Sequence, residues 1–164
     1  MATQTFRAGV VLVVSRSDGH VMVFERRDVP GAWQFPQGGL DAGEEPLDAA
    51  WRELAEETSL TPTEVELVRE GDDWIAYEVL PERRRGIGRG QVQRWFYFRA
   101  VTDDVQPTVD QREFVAWQWQ TMEWVLNHVP DFRQQPYRRG LSALDRTVGR
   151  KDLSGSQPVP ARDR

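Results

Sequence analysis

Residues 33–60 read WQFPQGGLDAGEEPLDAAWRELAEETSL. An aromatic segment closed by Pro36 runs into Gly38 and Gly39, and a stretch dense in carboxylates follows. Pro46 suits the first turn of a helix. Behind it Leu47, Ala50, Trp51, Leu54 and Thr58 share one face at about 100° per residue, an apolar stripe that must meet a sheet. Glu53, Glu56 and Glu57 form a separate stripe, because positions three and four apart are neighbours on a helix surface. Like charges there repel by roughly 0.2–0.5 kcal/mol per pair. A divalent cation reverses that sign: clustered carboxylate oxygens suit Mg²⁺, which commonly bridges protein carboxylates to substrate phosphates. A solvated acidic face is the plainer alternative for the acids taken alone. Gly38 and Gly39 are expected to let the backbone turn sharply from strand to helix, with Glu44 ending the loop.

Strand patterns flank this unit on both sides. RAGVVLVVS and HVMVFER are β-branched runs joined by Ser17-Asp18-Gly19, a hairpin signal, and AWQFP reads as a short strand. Beyond the helix EVELVRE, DWIAYEVL, RWFYFRAVT and FVAWQWQ read as four more strands, with Trp117 and Trp119 on one core-facing side of the last. TMEWVLNHV and PYRRGLSALDRTV read as two closing helices. Strands around a helix, with further helices at the end, predict an α/β fold with a mixed central sheet between helical layers. The connectivity stays open at this level.

The chain has 164 residues, enough for one domain with a core, and a net charge of −5. That charge argues against a strongly basic nucleic-acid binder. Cysteine is absent, so disulfide partners, thiolate nucleophiles and Cys-type zinc sites are excluded. No apolar run approaches the roughly 20 residues of a membrane helix, and MATQTFRAGVVLVVS lacks the basic lead of a signal peptide. A cytoplasmic setting with no membrane partner is expected. The polar, Pro- and Ser-bearing tail 149–164 is expected to be disordered, leaving 1–148 as the domain.

Gly38, Glu44, Arg52, Glu53, Leu54, Glu56, Glu57 and Leu60 together resemble the signature box of the Nudix hydrolases. Ser59 departs from it, standing where the family usually has glycine. If that glycine is a helix C-cap with positive φ, serine costs about 1 kcal/mol there. The resemblance implies a Nudix-type α/β/α sandwich, dependence on Mg²⁺ (Mn²⁺ as a substitute) and cleavage of a nucleoside diphosphate linked to another group. It assigns Glu53, Glu56 and Glu57 to the metal, and Arg52 and Glu44 to orienting helix and loop.

More of the chain, roughly residues 6–145, resembles the Nudix subfamily of RNA pyrophosphohydrolases and diadenosine tetraphosphate hydrolases, through WQFPQGG, WIAYEVLP, GQVQRWFYFRA, EFVAWQW and DFRQQPYRR. By this resemblance Glu113 is a distal acid of the metal and catalytic site. As a residue alone it is a surface glutamate. Phe132 and Arg133 match positions that hold a nucleobase by stacking and charge. Arg26 and Arg27 resemble residues near the phosphates or base, and Tyr77 resembles a phosphate-contacting tyrosine, though it equally fits a strand-face aromatic. Gln37 and Gln93, with Gly38 and Gly39, would line the phosphate site. The stretch PERRRGIGRGQVQR holds Arg83, Arg84, Arg85, Arg89 and Arg94, which fit either an RNA 5′ end or a solvated hairpin tip.

The expected substrate is a nucleotide or RNA 5′ end, with RNA 5′-triphosphate hydrolysis ranked first. Asymmetrical hydrolysis of diadenosine tetraphosphate is the alternative. A catalytically silent nucleotide-binding module would be marked by loss of box acids, and all are present. Oligomeric state stays open.

Overall fold

The computed structural model describes residues 5–84 and 88–148, so the tail expected to be disordered lies outside the described residues. The chain forms β1 (Phe6–Ser15), β2 (Val21–Arg26), β3 (Trp33–Gln34), β4 (Gln37–Gly39), α1 (Pro46–Thr58), β5 (Val65–Glu78), a 3₁₀ turn (Pro81–Arg83), β6 (Gly90–Ala100), β7 (Phe114–Gln120), α2 (Met122–His128) and α3 (Asp131–Val148). One mixed sheet runs in the order β3-β2-β1-β6-β5, with β4 added on β1 and β7 on β2. Only β1 and β6 are parallel among its pairs.

The unbroken apolar run of β1 has its reason in that position. Val10, Leu12 and Val14 face α1, with Phe24, Phe96, Phe98 and Phe114 around them. Val11 and Val13 face the other way, onto Phe35, Trp95, Tyr97 and the α3 residues Tyr137 and Leu141. A strand buried on both faces needs no polar alternation. The expected α/β/α layering is what forms.

Of the element boundaries that differ from the sequence reading, which include β4 and the start of β6 at Gly90, two are instructive. Residues 64–70 and 73–80 read as two strands, but one strand, β5, runs through Gly71-Asp72-Asp73 with a register shift against β6 between Glu70 and Trp74. A Gly-Asp-Asp run carries the composition of a turn. Here an irregularity in the ladder absorbs it: the two acids point to solvent while Gly71 is buried, where a Cβ would meet the Trp95 carbonyl oxygen at 3.0 Å. The last helix starts at Asp131 rather than at Pro136, which lies buried inside α3. Proline removes one N–H donor, and burial of the flanking Arg133, Tyr137 and Leu141 holds the helix through it. Trp117 and Trp119 share a face as expected, half-buried against the α1-side core. No helix among the described residues is long and apolar enough to cross a membrane.

The edge of β1 is divided. Its first half pairs with β4, through Gly9↔Gly39, Val10↔Gly38 and Val11↔Gln37, and its far end meets β2 at Ser15↔Val21. The chain enters β4 at that split and leaves the sheet beside Gly9 and Ala8 for α1.

Candidate active site

The approach to α1 is a brace built on Arg52. Its Nε and one terminal nitrogen donate to the two Glu44 oxygens, each at 2.8 Å, and the other donates to Glu53 at 2.8 Å. A further bond reaches the Gly39 carbonyl at 3.0 Å. Glu44 also accepts the Asp41 N–H at 2.8 Å, closing the turn that positive-φ Gly43 (φ 76°) makes possible. The guanidinium beside it holds Glu44 down to about 2. Arg52 thereby ties α1 to the loop that carries Glu44 and to the end of β4.

Gly38 and Gly39 do not turn the chain; this corrects the sequence reading. Both lie in β4, and their lack of side chains provides room instead. A Cβ on Gly38 would fall on the Glu53 carboxylate, and one on Gly39 would meet the Arg7 guanidinium. Arg7, close against the loop, is a residue the sequence reading did not single out.

The three helix acids have different surroundings. Glu56 is exposed, with Arg52 at 3.6 Å. Glu53 is buried, and that burial raises its pKa against the opposing pull of Arg52. Glu57 is 4% exposed and accepts the Gln37 N–H at 3.1 Å. Burial, and then the facing Glu113 carboxyl that shares a hydrogen bond with it, push Glu57 up to about 10. Glu113 belongs to no helix. It is delivered by a loop in which Asp110 Oδ1 accepts the N–H groups of Arg112, Glu113 and Phe114 at 3.0, 3.0 and 3.1 Å. The Glu113 carbonyl then accepts the Arg27 N–H at 2.9 Å, tying this loop to the end of β2. Among the described residues no three acids stand as a ready metal cage. Arg52 holds Glu53 to one side and Glu56 points outward.

A second cluster lies on the α3 side of β4. Arg133, 6% exposed, donates to Gln34 Oε1 at 2.8 Å and to Gln37 Oε1 at 2.7 Å, while its Nε is buried without an acceptor. Gln93 donates to Gln37 at 3.3 Å and to Gln91 at 3.0 Å, and Tyr77 donates to Gln91 at 3.1 Å. The Phe132 ring packs 6.0 Å from Tyr77, with the Arg133 guanidinium 5.4 Å from the Phe132 ring centre. Phe132, Arg133, Tyr77, Gln93 and Gln37 thus come together. Gln34 and Gln91 were missed, although a glutamine alternating with buried aromatics in WQFPQ was a visible signal.

The other cations are already engaged. Arg26 grips Asp28 at 2.8 and 2.5 Å, and Arg27 donates to the Gln111 carbonyl at 2.7 Å. Arg26, Asp28, Asp110, Arg112 and Glu113 line an open groove of about 450 Å³ beside the acids. In the arginine stretch, Arg84 donates to the Val79 carbonyl at 2.8 Å, Arg89 pairs with Glu78 at 2.8 Å, and Arg94 pairs with Glu70 at 2.6 Å. Arg85 and the Arg83 side chain lie outside the described residues.

A family model described as NUDIX domain matches residues 5–141. A protein of Psychrobacter cryohalolentis named RNA pyrophosphohydrolase is 39% identical over 147 residues, spanning 85% of this chain and 84% of its own. One of the same name from Francisella tularensis subsp. mediasiatica is 36% identical over 143 residues, spanning 84% of this chain and 92% of its own. Among solved structures, the E. coli dihydroneopterin triphosphate pyrophosphohydrolase shares the fold with a TM-score of 0.68 at 19% identity, over 82% of this chain and 96% of that one.

Proposed function

This chain belongs to the Nudix family and is a hydrolase of pyrophosphate bonds; from that premise we propose that it acts on the triphosphorylated 5′ end of RNA with Mg²⁺, for which Mn²⁺ can substitute. Nudix hydrolases generally use divalent metal ions. One observation carries the reading: a buried guanidinium and the buried Glu57 carboxyl stand on either side of one residue. Gln37 accepts from Arg133 through its side chain and donates to Glu57 through its backbone N–H. A nucleotide laid across β4 would have a ring and a cation at one end and carboxylates at the other.

The donor set fits a divalent cation. Glu57 is buried with the Glu113 carboxyl facing it, and both the burial and that carboxyl raise its pKa, a penalty a cation between them would relieve. Glu53, Glu56, Glu57 and Glu113 would hold it. When bound, such an ion neutralises pyrophosphate oxygens and acidifies water. The protein's own part is positional. Arg52 steers Glu53, Gln37 steers Glu57, and the Asp110 loop presents Glu113. One of these carboxylates accepts the proton of the attacking water. Phe132 offers a ring face to a base, and Arg133 a charge to the adjoining phosphate. Arg26 lines the groove beside Glu113, Arg27 braces its loop through the Gln111 carbonyl, and Gly38 and Gly39 leave room for Glu53 and Arg7.

The second reading, asymmetrical cleavage of diadenosine tetraphosphate, gains from the internal pairing of Arg84, Arg89 and Arg94, which leaves them no need of a long RNA. Turnover of triphosphorylated RNA, diadenosine tetraphosphate and nucleoside triphosphates, measured side by side with Mg²⁺, decides between them. The RNA reading expects the highest kcat/KM on RNA, and a higher value on the dinucleotide overturns it. Arg84→Gln/Arg89→Gln should weaken the RNA reaction selectively and flatten its salt dependence by about 0.7 per lost phosphate contact. Equal loss on both substrates would deny the stretch any RNA-specific role.

A further inference from the structure

Arg133 is a buried cation with no carboxylate partner among the described residues. Its acceptors are the amide oxygens of Gln34 and Gln37 and the Tyr137 hydroxyl. Asp28 feels its charge but is already gripped by Arg26. A guanidinium placed so deep is expensive without an anion, so the substrate is its natural counter-ion. Gln37 shares with Gln34 and Tyr137 the task of holding the guanidinium, and it alone of the three also reaches the acids. The Gln37 side-chain oxygen receives two donors, Arg133 at 2.7 Å and Gln93 at 3.3 Å. The same residue's N–H holds Glu57 from the opposite side.

The local backbone makes this junction sensitive. β4 has three residues and pairs with β1, with the Pro36 carbonyl accepting the Leu12 N–H at 2.9 Å on one side and the Leu40 N–H donating to the Ala8 carbonyl at 3.1 Å on the other. The two glycines that follow Gln37 contribute no side-chain packing. Gln37 is the one residue of β4 with a side chain, so on the face away from β1 that side chain is what braces the strand whose N–H meets Glu57.

We propose that Gln37 is a positioning residue that couples the Arg133 anion pocket to the Glu57 carboxylate, so that the pocket helps to set the affinity of the acids for their divalent ion. The inference rests on the functional reading above in taking Glu57 as a metal-holding acid. It goes further in making the glutamine junction, rather than the acids alone, a determinant of metal affinity. Hydrogen-bonding partners of metal-holding groups typically change metal affinity by about 10- to 100-fold when removed.

The test is a thermal melt titrated with Mg²⁺ and no substrate, which reads metal affinity without activity. Gln37→Ala should move the Mg²⁺ midpoint upward by about 10- to 100-fold. Gln37→Glu keeps an acceptor for Arg133 and Gln93, so its midpoint should stay within about threefold of wild type, close to the ordinary scatter of such couplings. Its KM for an anionic substrate should nevertheless rise, because Arg133 then has an internal carboxylate. Arg133→Ala should shift the midpoint in the same direction as Gln37→Ala, and the double variant no further than Gln37→Ala alone. A wild-type midpoint for Gln37→Ala overturns the proposal, as do equal shifts for the alanine and glutamate variants. Should Gln37→Ala not fold, Arg133→Ala alone decides: an unmoved midpoint overturns the coupling. A wild-type melt indifferent to Mg²⁺ also overturns it. Failure of the RNA reading shows elsewhere, as absent turnover of triphosphorylated RNA by a wild-type protein whose melt still responds to metal.

Discussion

Glu44 and Glu57 are both glutamates at the two ends of one short segment, and the fold treats them in opposite ways. Glu44 is clasped by both arms of Arg52 and held down to about 2. Glu57 is buried against another carboxyl and pushed up to about 10. The first acid is satisfied within the chain and builds the loop. The second accepts a backbone N–H and faces a carboxyl, with no cationic side chain among the described residues, and so has a use when something cationic arrives. An acid with its arginine stabilises a shape, whereas an acid facing an acid stores an unfavourable charge that a ligand can release.

The largest effect that breaks this contrast comes from Glu57→Gln. Removing the carboxylate should lower kcat at saturating Mg²⁺ by about 10²- to 10⁴-fold. Without metal the variant should melt no lower than wild type, because the cost of burying an ionisable acid beside another has gone. Near-normal turnover would remove Glu57 from the reaction.

Metal supplies the next test. Mg²⁺ that binds only the folded site should add about 2.7 kcal/mol of stability at one hundred times its dissociation constant, read as a rising Tm. Glu53→Gln/Glu57→Gln should abolish that rise. A double variant that still responds as wild type does would place the ion elsewhere.

Ser59 sharpens the comparison at the far end of α1, next to Glu57. It caps the helix in the left-handed region at φ 59°, the conformation expected of the glycine usual there. Ser59→Gly should therefore stabilise the protein by about 1 kcal/mol in a denaturant titration, with turnover unchanged. A destabilised variant would show that the serine side chain contributes something its backbone conformation hides.

The smallest effect belongs to Glu44, a part-buried acid already satisfied by Arg52. Its folded pKa lies below the unfolded value of 4.5, so its contribution to stability is present above that value. It should be lost as pH falls from about 4.5 towards about 2. Stability of wild type and Glu44→Gln, compared across that range, should converge at the acidic end. Parallel curves would deny the Arg52 pairing any part in acid sensitivity.

How much of this was legible beforehand depends on whether the relevant physics was local. The apolar stripe of α1, the crowding of Glu53, Glu56 and Glu57, the proline start and the strained Ser59 cap follow from spacing along one helix, and a linear chain displays them. The layering also followed, since a run such as GVVLVV can be satisfied only by burial on both faces. The boundary errors came from rules that tertiary packing overrides. Gly-Asp-Asp resembles a turn until Gly71 is needed beneath Trp95, and Pro136 resembles a helix start until its neighbours bury it mid-helix.

The amino-acid sequence by itself determined an α/β protein with three acids on one helix, because period and residue type are properties of neighbours in the chain, and its resemblance to the Nudix box pointed to the family. Only the tertiary structure decided which acid is paired and which is left wanting a cation. Glu113 reaches Glu57 from a distant loop, and Gln37 meets Arg133 from the opposite end of the domain. Charge and burial act through space, and the chain order of those residues says nothing about the distance between them.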